Sequence, residues 1–230
     1  MEIIAEIGQN HNGDIDLACK LIREAKICGA DVAKFQVYNA VDLFPKEDNP
    51  WFEYNCKTEL SFQDLEILNK VCKEEGIEFM ASVFDIERIA WLENLGVKRY
   101  KIASRSVYEK QLINEVLATG KPTLISLGMW EEENFPEYQG DIEYLFCISK
   151  YPTPLSDIDF NKIDFNLFGG FSDHTEGTLA PIAAMSRGAK IIEKHFTIDK
   201  DMFGPDHEGS ATPEEMKEIC DFRDGLRSCL

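Results

Sequence analysis

The chain has 230 residues, of which 44% are hydrophobic, and this is enough to bury the core of a globular domain. Its 42 acidic residues against 24 basic ones give a net charge of −18, which argues against nucleic acid or an anionic membrane as a partner. No apolar run approaches the roughly 18 residues of a membrane span, so we expect no transmembrane segment.

Short apolar runs rich in β-branched residues predict eight strands, spaced along the whole chain. In order they cover residues 2–7, 31–37, 77–83, 98–103, 122–126, 142–148, 168–172 and 189–194. Helical periodicity between them predicts helices over 15–28, 61–75, 85–95, 108–118, 176–187 and 213–228. Pro136 and several Asp and Asn residues interrupt the segments 130–140 and 155–166, so we expect shortened helical units after the fifth and sixth strands.

Strands that alternate with helices pair in parallel, and the helices then cover the outside of the sheet. Eight such units in 230 residues predict an α/β fold of the (β/α)8 TIM-barrel type, as a single domain over residues 1–230. The alternative is an open doubly wound sheet. However, the segment after the first strand, GQNHNGD, lacks the G-x-G-x-x-G fingerprint expected of that fold.

Polar side chains gather where the predicted strands end, which in a barrel is the face that carries function. Lys34 and Lys101 lie inside otherwise apolar strands, where a charge is costly without a partner. They either pair with Glu6 and Glu193 or, as we favour, form a pocket for phosphate and carboxylate together with hydroxyl groups. The other polar residues at these ends are Gln36, Ser82, Ser104, Ser126, Ser149, Tyr151 and Ser172, with Asp206 in the last loop.

Two histidines, His174 and His195, lie at the ends of the seventh and eighth strands. Because one strand–helix–strand unit separates them, their side chains should meet at one end of the barrel. Such a pair could share a divalent ion that keeps open positions for water. On spacing alone, two hydrogen-bonded core histidines are the more common alternative, since no third ligand is visible.

The seven cysteines form an odd number and include no C-x-x-C pair. Four of them, Cys19, Cys28, Cys72 and Cys220, fall within helical patterns. The N-terminal segment MEIIAEIG is too short and too acidic for a signal peptide. These features predict reduced structural thiols in a cytoplasmic protein.

Eight stretches, collinear along nearly the whole chain, carry a resemblance to a known family. They are AEIGQNHNGD (5–14), GADVAKFQ (29–36), YKIAS (100–104), SLGM (126–129), YPTP (151–154), SDHTEG (172–177), GA with IEKHFT (within 188–197) and GPDHEGSATPEE (204–215). These stretches resemble the sialic acid synthase (N-acetylneuraminate synthase) family of phosphoenolpyruvate-dependent condensing enzymes. The resemblance implies a barrel that joins phosphoenolpyruvate to an open-chain N-acyl hexosamine-type aldehyde, which gives a nonulosonic 2-keto acid and phosphate.

The resemblance also implies roles for individual residues. His174 and His195 would ligate a divalent metal, manganese first, with magnesium or cobalt as alternatives. Glu6 would move protons at the sugar or at the water that adds to C2, and Lys101 would act beside it, while Asp206 would contact the sugar or metal-bound water. His11 and His207 are expected to be structural. The remaining substrate contacts would come from Lys34, Gln36, Ser82, Ser104, Ser126, Ser149, Tyr151 and Ser172.

The sequence departs from the family pattern in places that concern the sugar. Arg105 and Ser106 follow KIAS where Gly-Glu is usual, and Leu127 replaces a usual Thr. Family members also carry a C-terminal antifreeze-like domain that covers a partner's barrel and supplies an arginine, and the 230 residues contain none. We therefore expect normal phosphoenolpyruvate binding but poor use of N-acetylmannosamine, unless a homodimer, a separate lid-carrying chain or Arg105 compensates.

Two other functions are consistent with the sequence. A related barrel enzyme could condense phosphoenolpyruvate with another aldose or catalyse an aldol-type reaction. A non-catalytic barrel could bind an anion or a protein partner, although such a scaffold would not need Glu6, two lysines and two histidines together.

Overall fold

The β-rich runs of the sequence form strands in the computed structural model, which describes residues 1–229. The described residues contain eight strands that close into a parallel barrel in chain order, with the last strand hydrogen-bonded to the first. The barrel prediction is confirmed, and the doubly wound alternative was wrong. The strands are β1 (Glu2–Gly8), β2 (Val32–Val37), β3 (Glu78–Val83), β4 (Tyr100–Ile102), β5 (Thr123–Ser126), β6 (Ile142–Cys147), β7 (Gly170–Asp173) and β8 (Ile191–His195).

Several of the longer helices begin at a side chain that caps them. The Asp14 carboxylate accepts hydrogen bonds from the first turn of one helix, and Ser61 and Asp64 form a capping box at another. The helices of residues 1–229 are α1 (Ile15–Cys28), α2 (Ala40–Leu43), α3 (Phe52–Lys57), α4 (Phe62–Glu75), α5 (Ile86–Leu95), α6 (Lys110–Ala118), α7 (Leu179–Ser186) and α8 (Pro213–Cys229).

Two predicted helices begin two or three residues later than the periodicity indicated. Helix α6 begins at Lys110 because Ser104–Ser106 forms a 3-10 turn, after which the Ser106 hydroxyl donates to the Glu109 carboxylate at 2.9 Å. Helix α7 begins at Leu179 because Gly177 has a φ of +72°, a left-handed conformation that ends the preceding loop. The short helices α2 and α3, both in the connection after β2, were not predicted.

The outer wall of the barrel is least covered beside β6. Within the described residues no helix lies between β5 and β6, and only two 3-10 turns, Leu155–Asp157 and Phe160–Lys162, lie between β6 and β7. This confirms the shortened units predicted after the fifth and sixth strands. The outward-facing Tyr144 and Phe146 are only partly buried as a result.

The barrel interior has an apolar lower layer and a polar upper layer. A separate buried cluster forms the lower layer and consists of Ile4, Val32, Met80, Leu124 and Leu145. Successive side chains of a strand point to opposite faces, so the residue two positions after each member of this cluster also points into the barrel. These next inward-facing residues are Glu6, Lys34, Ser82, Ser126 and Cys147, and all of them line a cavity above the apolar layer.

Across the part of the chain that it describes, the structure agrees with the two expectations of reduced cysteines and of no transmembrane segment. Among residues 1–229 all seven cysteines are free, and the four in helical patterns are buried. None of the helices in this part of the chain is long and apolar enough to cross a membrane.

A fully buried ion pair joins β7 to β8 on the outside of the barrel. The Lys194 ammonium group lies 2.7 Å from the Asp173 carboxylate and donates to the Thr175 carbonyl at 2.6 Å, and both charged side chains are 0% exposed. Asp173 and Lys194 are paired in register and directly precede His174 and His195. This pair therefore fixes the two strands immediately beside the two histidines.

Lys194→Met should destabilise the protein strongly, because it leaves the Asp173 carboxylate buried without its partner. Removing one member of a buried pair costs about 3–5 kcal/mol in the free energy of unfolding, which urea denaturation followed by circular dichroism would measure. Lys217→Met is the matched control, since it breaks the exposed pair with Asp221 and should hardly move the midpoint. An unchanged midpoint for Lys194→Met would contradict the expectation.

Candidate active site

A cavity of about 860 Å³ opens at the carboxyl ends of the barrel strands. Every residue that the sequence predicts for the site lines it, although the residues come from seven of the eight strands and from loops that follow strands. They are Glu6, Lys34, Gln36, Ser82, Lys101, Ser104, Ser126, Ser149, Tyr151, Ser172, His174, His195 and Asp206. The cavity is large enough for two small substrates together.

Lys34 is held by two carboxylates at the floor of this cavity. Its ammonium group lies 2.6 Å from Glu6 Oε2 and 3.4 Å from Glu193 Oε2, and it donates to Ser82 Oγ at 2.9 Å. Burial tends to lower the pKa of Lys34, but the Glu193 and Glu6 carboxylates outweigh it and raise the pKa. Lys34 is therefore a fixed cation.

Lys101 is held less tightly. Its ammonium group lies 3.5 Å from Glu193 Oε1 and donates to the Ile102 carbonyl at 3.2 Å. Burial lowers the pKa of Lys101 despite the Glu193 carboxylate, and the positive charge of Lys34 lowers it further. Both lysines are therefore paired with carboxylates, which was one of the two arrangements that the sequence allowed. Because its carboxylate contacts are longer than those of Lys34, Lys101 has more capacity to bind a further anion.

Glu193 links the two lysines, and sequence reasoning did not select it as a site residue. Its Oε1 accepts a hydrogen bond from Ser172 Oγ at 2.7 Å. Burial works against its ionisation, yet Lys101 and Lys34 lower the pKa of this carboxyl to about 2. The signal that could have identified it is its spacing of two residues from His195 on β8, which directs both side chains into the barrel.

Small polar groups converge on Gly128 at one side of the cavity. The Gly128 N–H donates to Ser104 Oγ at 3.0 Å, and a Cβ at Gly128 would lie 2.6 Å from Ser149 Oγ and 2.8 Å from Cys147 Sγ. Only glycine fits here without displacing these groups. Ser126 Oγ is buried and has no hydrogen-bond partner among residues 1–229, so it is available to a ligand.

The two predicted metal ligands lie side by side, with ring centroids 5.8 Å apart. His174 Nδ1 is 2.7 Å from the Ile148 carbonyl, which fixes the ring and leaves Nε2 as the nitrogen with a free lone pair. His195 Nδ1 is buried without a hydrogen-bond partner in the described chain and lies 3.9 Å from Asp206 Oδ2. Burial lowers the pKa of His195, which favours the neutral form that binds metals.

These donors fit a divalent ion that is completed by water or substrate. A side cavity of about 30 Å³ lies between both histidines, Tyr151 and Asp206, and this is enough for one ion or water. Within residues 1–229 no three His, Cys, Asp or Glu side chains are grouped as a metal site. The protein itself would therefore supply two imidazoles, a donor set that manganese, magnesium or cobalt accepts only with further oxygen ligands.

The other two histidines lie outside the cavity lining. His207 contacts Thr197 Oγ1 at 2.7 Å and Asn12 Oδ1 at 3.1 Å, so it joins the loops after β8 and β1. His11 is fully buried, and burial lowers its pKa to about 4. Both positions agree with the structural roles expected for them.

Apart from Arg105, the rim of the cavity contains residues that sequence reasoning did not select. Most come from the loops after β2, β4 and β5, whose paths depend on tertiary contacts. Arg105 is exposed there, and its guanidinium donates to the Leu43 carbonyl at 3.2 Å and lies 5.0 Å from the centre of the Phe44 ring. The rim also includes Phe44, Asn49, Trp51, Asn55, Trp130 and Glu131.

The chain is similar to known proteins over nearly its whole length. The NeuB family matches residues 21–227. Uncharacterized protein MJ1065 of Methanocaldococcus jannaschii is 44% identical over 94% of this chain and 68% of its own length. The N,N'-diacetyllegionaminic acid synthase of Legionella pneumophila is 37% identical over 94% of this chain and 69% of its own length.

A solved structure shares both the fold and part of the sequence. It is the N-acetylneuraminic acid (sialic acid) synthetase of Leptospira borgpetersenii serovar Hardjo-bovis, in complex with citrate. The two chains superpose with a TM-score of 0.90 at 29% identity, over 99% of this chain and 84% of the other.

Proposed function

This chain belongs to the NeuB family, and we propose that it condenses phosphoenolpyruvate with an N-acyl hexosamine-type sugar aldehyde to give a sialic-acid-like 2-keto acid and phosphate. The observation that carries the proposal is the polar upper layer of the barrel. Two lysines, two glutamates and several serines face one cavity directly beside a pair of histidines. This arrangement offers an anion site and a carbonyl-activating site within one space.

We assign the phosphoenolpyruvate end to the lysines and the serine hydroxyls. Lys101 and Lys34 would hold phosphate and carboxylate oxygens, and the unpartnered Ser126 hydroxyl would donate to one of them. As phosphate leaves, the fixed lysine charges would stabilise the negative charge that develops on it. The Glu6 and Glu193 carboxylates keep both ammonium groups in place before the substrate arrives.

His174 and His195 would hold the metal, for which manganese is the first candidate and magnesium or cobalt the alternatives. When bound, such an ion supplies a Lewis acid that polarises the sugar aldehyde. The chain's own part is to orient the His174 imidazole through the Ile148 carbonyl and to place Tyr151 beside His174 and Asp206 beside His195. Asp206 would accept hydrogen bonds from the sugar or from metal-bound water.

Glu6 is the proposed proton-transferring group. One of its carboxylate oxygens accepts from Gln36 Nε2 at 3.0 Å, and the other lies beside Lys34. The reaction joins C3 of phosphoenolpyruvate to the aldehyde carbon, adds a water oxygen at C2 and releases phosphate. A positioned carboxylate can take a proton from that water, and the resulting carboxylic acid can give one to the aldehyde oxygen that becomes the new hydroxyl.

Phosphate release tests this proposal. Purified protein would be mixed with phosphoenolpyruvate and a panel of aldoses, with and without manganese, and the 2-keto acid would be identified by mass spectrometry. Release that depends on an N-acyl hexosamine supports the proposal. Release with a different aldose supports the related condensing enzyme, and phosphoenolpyruvate binding without release in any mixture supports the non-catalytic barrel.

Lys34→Ala and Lys101→Ala should each weaken phosphoenolpyruvate binding about tenfold to a hundredfold, which corresponds to ~1.5–3 kcal/mol for a hydrogen bond to a charged group. Isothermal titration calorimetry would measure the affinity, and thermal unfolding would check that each variant is folded. Lys98→Ala is the matched control, because that exposed lysine pairs with Glu78 and does not line the cavity. Wild-type affinity in both cavity variants would make the two lysines purely structural.

A further inference from the structure

The charges of the cavity are divided between its floor and its rim. Both lysines lie at the floor, where Glu6 and Glu193 contact them. Among the residues described, Arg105 is the only other lysine or arginine that lines the cavity. Glu131 and Asp206 also line it, so the side chains outside the floor contribute one cation against two carboxylates, of which Asp206 lies beside the proposed metal site.

Arg105 does not form a site for a second dianion. Its guanidinium already donates to the Leu43 carbonyl and lies over the Phe44 ring. A phosphate group carries nearly two negative charges and is normally bound by several converging donors. Here it would meet a single exposed arginine in the field of a protein with a net charge of −18.

The rest of the rim suits an uncharged ligand. Trp130 stacks on Tyr108 with ring centroids 4.9 Å apart, and its indole N–H donates to the Asn134 carbonyl, so the ring is held in place. Asn49 and Asn55 add neutral amide groups to the lining. Aromatic faces and amides bind sugars through apolar contact and hydrogen bonds, without a formal charge on the ligand.

We infer that the acceptor is an uncharged 2-acylamino aldose that carries no phosphate group. The inference rests on the proposed function, because it concerns the second substrate of that reaction. The floor provides cations for phosphoenolpyruvate, and the rim provides none beyond Arg105. A phosphorylated acceptor would therefore bring a second dianion close to the first one without a cluster of cationic side chains to bind it.

Steady-state kinetics with N-acetylmannosamine and its 6-phosphate would test the inference, at saturating phosphoenolpyruvate and manganese. We expect kcat/KM for the neutral sugar to exceed that for the phosphorylated sugar by at least about tenfold, the ratio that corresponds to about 1.4 kcal/mol. Glu131→Lys should lower the ratio of kcat/KM for the neutral sugar to kcat/KM for the phosphorylated sugar severalfold. Glu132→Lys, which changes the net charge equally at an exposed residue outside the cavity lining, should leave the ratio as it is.

The outcomes separate the two proposals. A higher kcat/KM for the 6-phosphate would overturn the inference while the proposed condensation stands. An equal change of the ratio in Glu131→Lys and Glu132→Lys would also overturn it, because the preference would then come from overall charge and not from the rim. No phosphate release with either sugar would refute the proposed function, and the inference with it.

Discussion

Glu6→Gln is expected to lower kcat for the condensation by about 10²- to 10⁴-fold, the usual contribution of a positioned acid–base group. The substitution keeps the shape of the side chain and its contact with Gln36 but removes the group that exchanges protons. It also removes one of the two carboxylates beside Lys34, while Glu193 remains. Phosphoenolpyruvate should therefore still bind, and the loss should appear in kcat.

Phosphate release would give kcat, and calorimetry would give the affinity for phosphoenolpyruvate. Glu2→Gln is the matched control, because Glu2 lies on the same strand at the opposite end of the barrel, where it pairs with Arg99. A Glu6→Gln enzyme with kcat close to that of wild type would exclude Glu6 as the proton-transferring group. A parallel loss in Glu2→Gln would point to the strand itself instead.

His174→Ala and His195→Ala are each expected to abolish stoichiometric manganese binding. Each histidine would supply half of the protein's direct ligands, so no other side chain can replace the ligand that either substitution removes. Electron paramagnetic resonance of free Mn²⁺ would give the number of ions bound per chain, independently of turnover. We expect one ion for the wild-type protein and none at the same concentration for either variant.

His207→Gln is the control for this second expectation. It removes an imidazole of the same protein that contacts Thr197 and Asn12 and does not line the cavity. Circular dichroism would check that each variant is folded. One bound ion in the His174→Ala/His195→Ala double variant would show that the metal lies elsewhere.

The strands were predictable because their signal is local. Runs such as residues 189–194 are short, apolar and β-branched, and each is separated from the next by a helical pattern or a turn. Alternation along a strand then fixes which side chains share a face. That is why Lys34 and Gln36, or Ser172 and His174, could be assigned to one end of the barrel and are found there.

The rim could not be predicted for the opposite reason. The loop after β2 folds back over the cavity because Phe44 packs on Tyr38 and the Tyr54 hydroxyl donates to Asn12 Oδ1, contacts that no local pattern encodes. Sequence reasoning therefore found Arg105 through its departure from the family motif and missed Trp51 and Trp130. The roles of the site residues remain predictions, since their positions alone do not test them.

The thin cover over β6 has a consequence for how the barrel moves. Local opening requires the least free energy where few apolar contacts shield the backbone hydrogen bonds, and here that is the side formed by β5 and β6. Ser126 and Ser149 lie on that side, whereas Glu6, Lys34 and His195 are carried by β1, β2 and β8 beneath long helices. We therefore expect Ser126 and Ser149 to lie on the more mobile side of the barrel, and Glu6, Lys34 and His195 on the more rigid side.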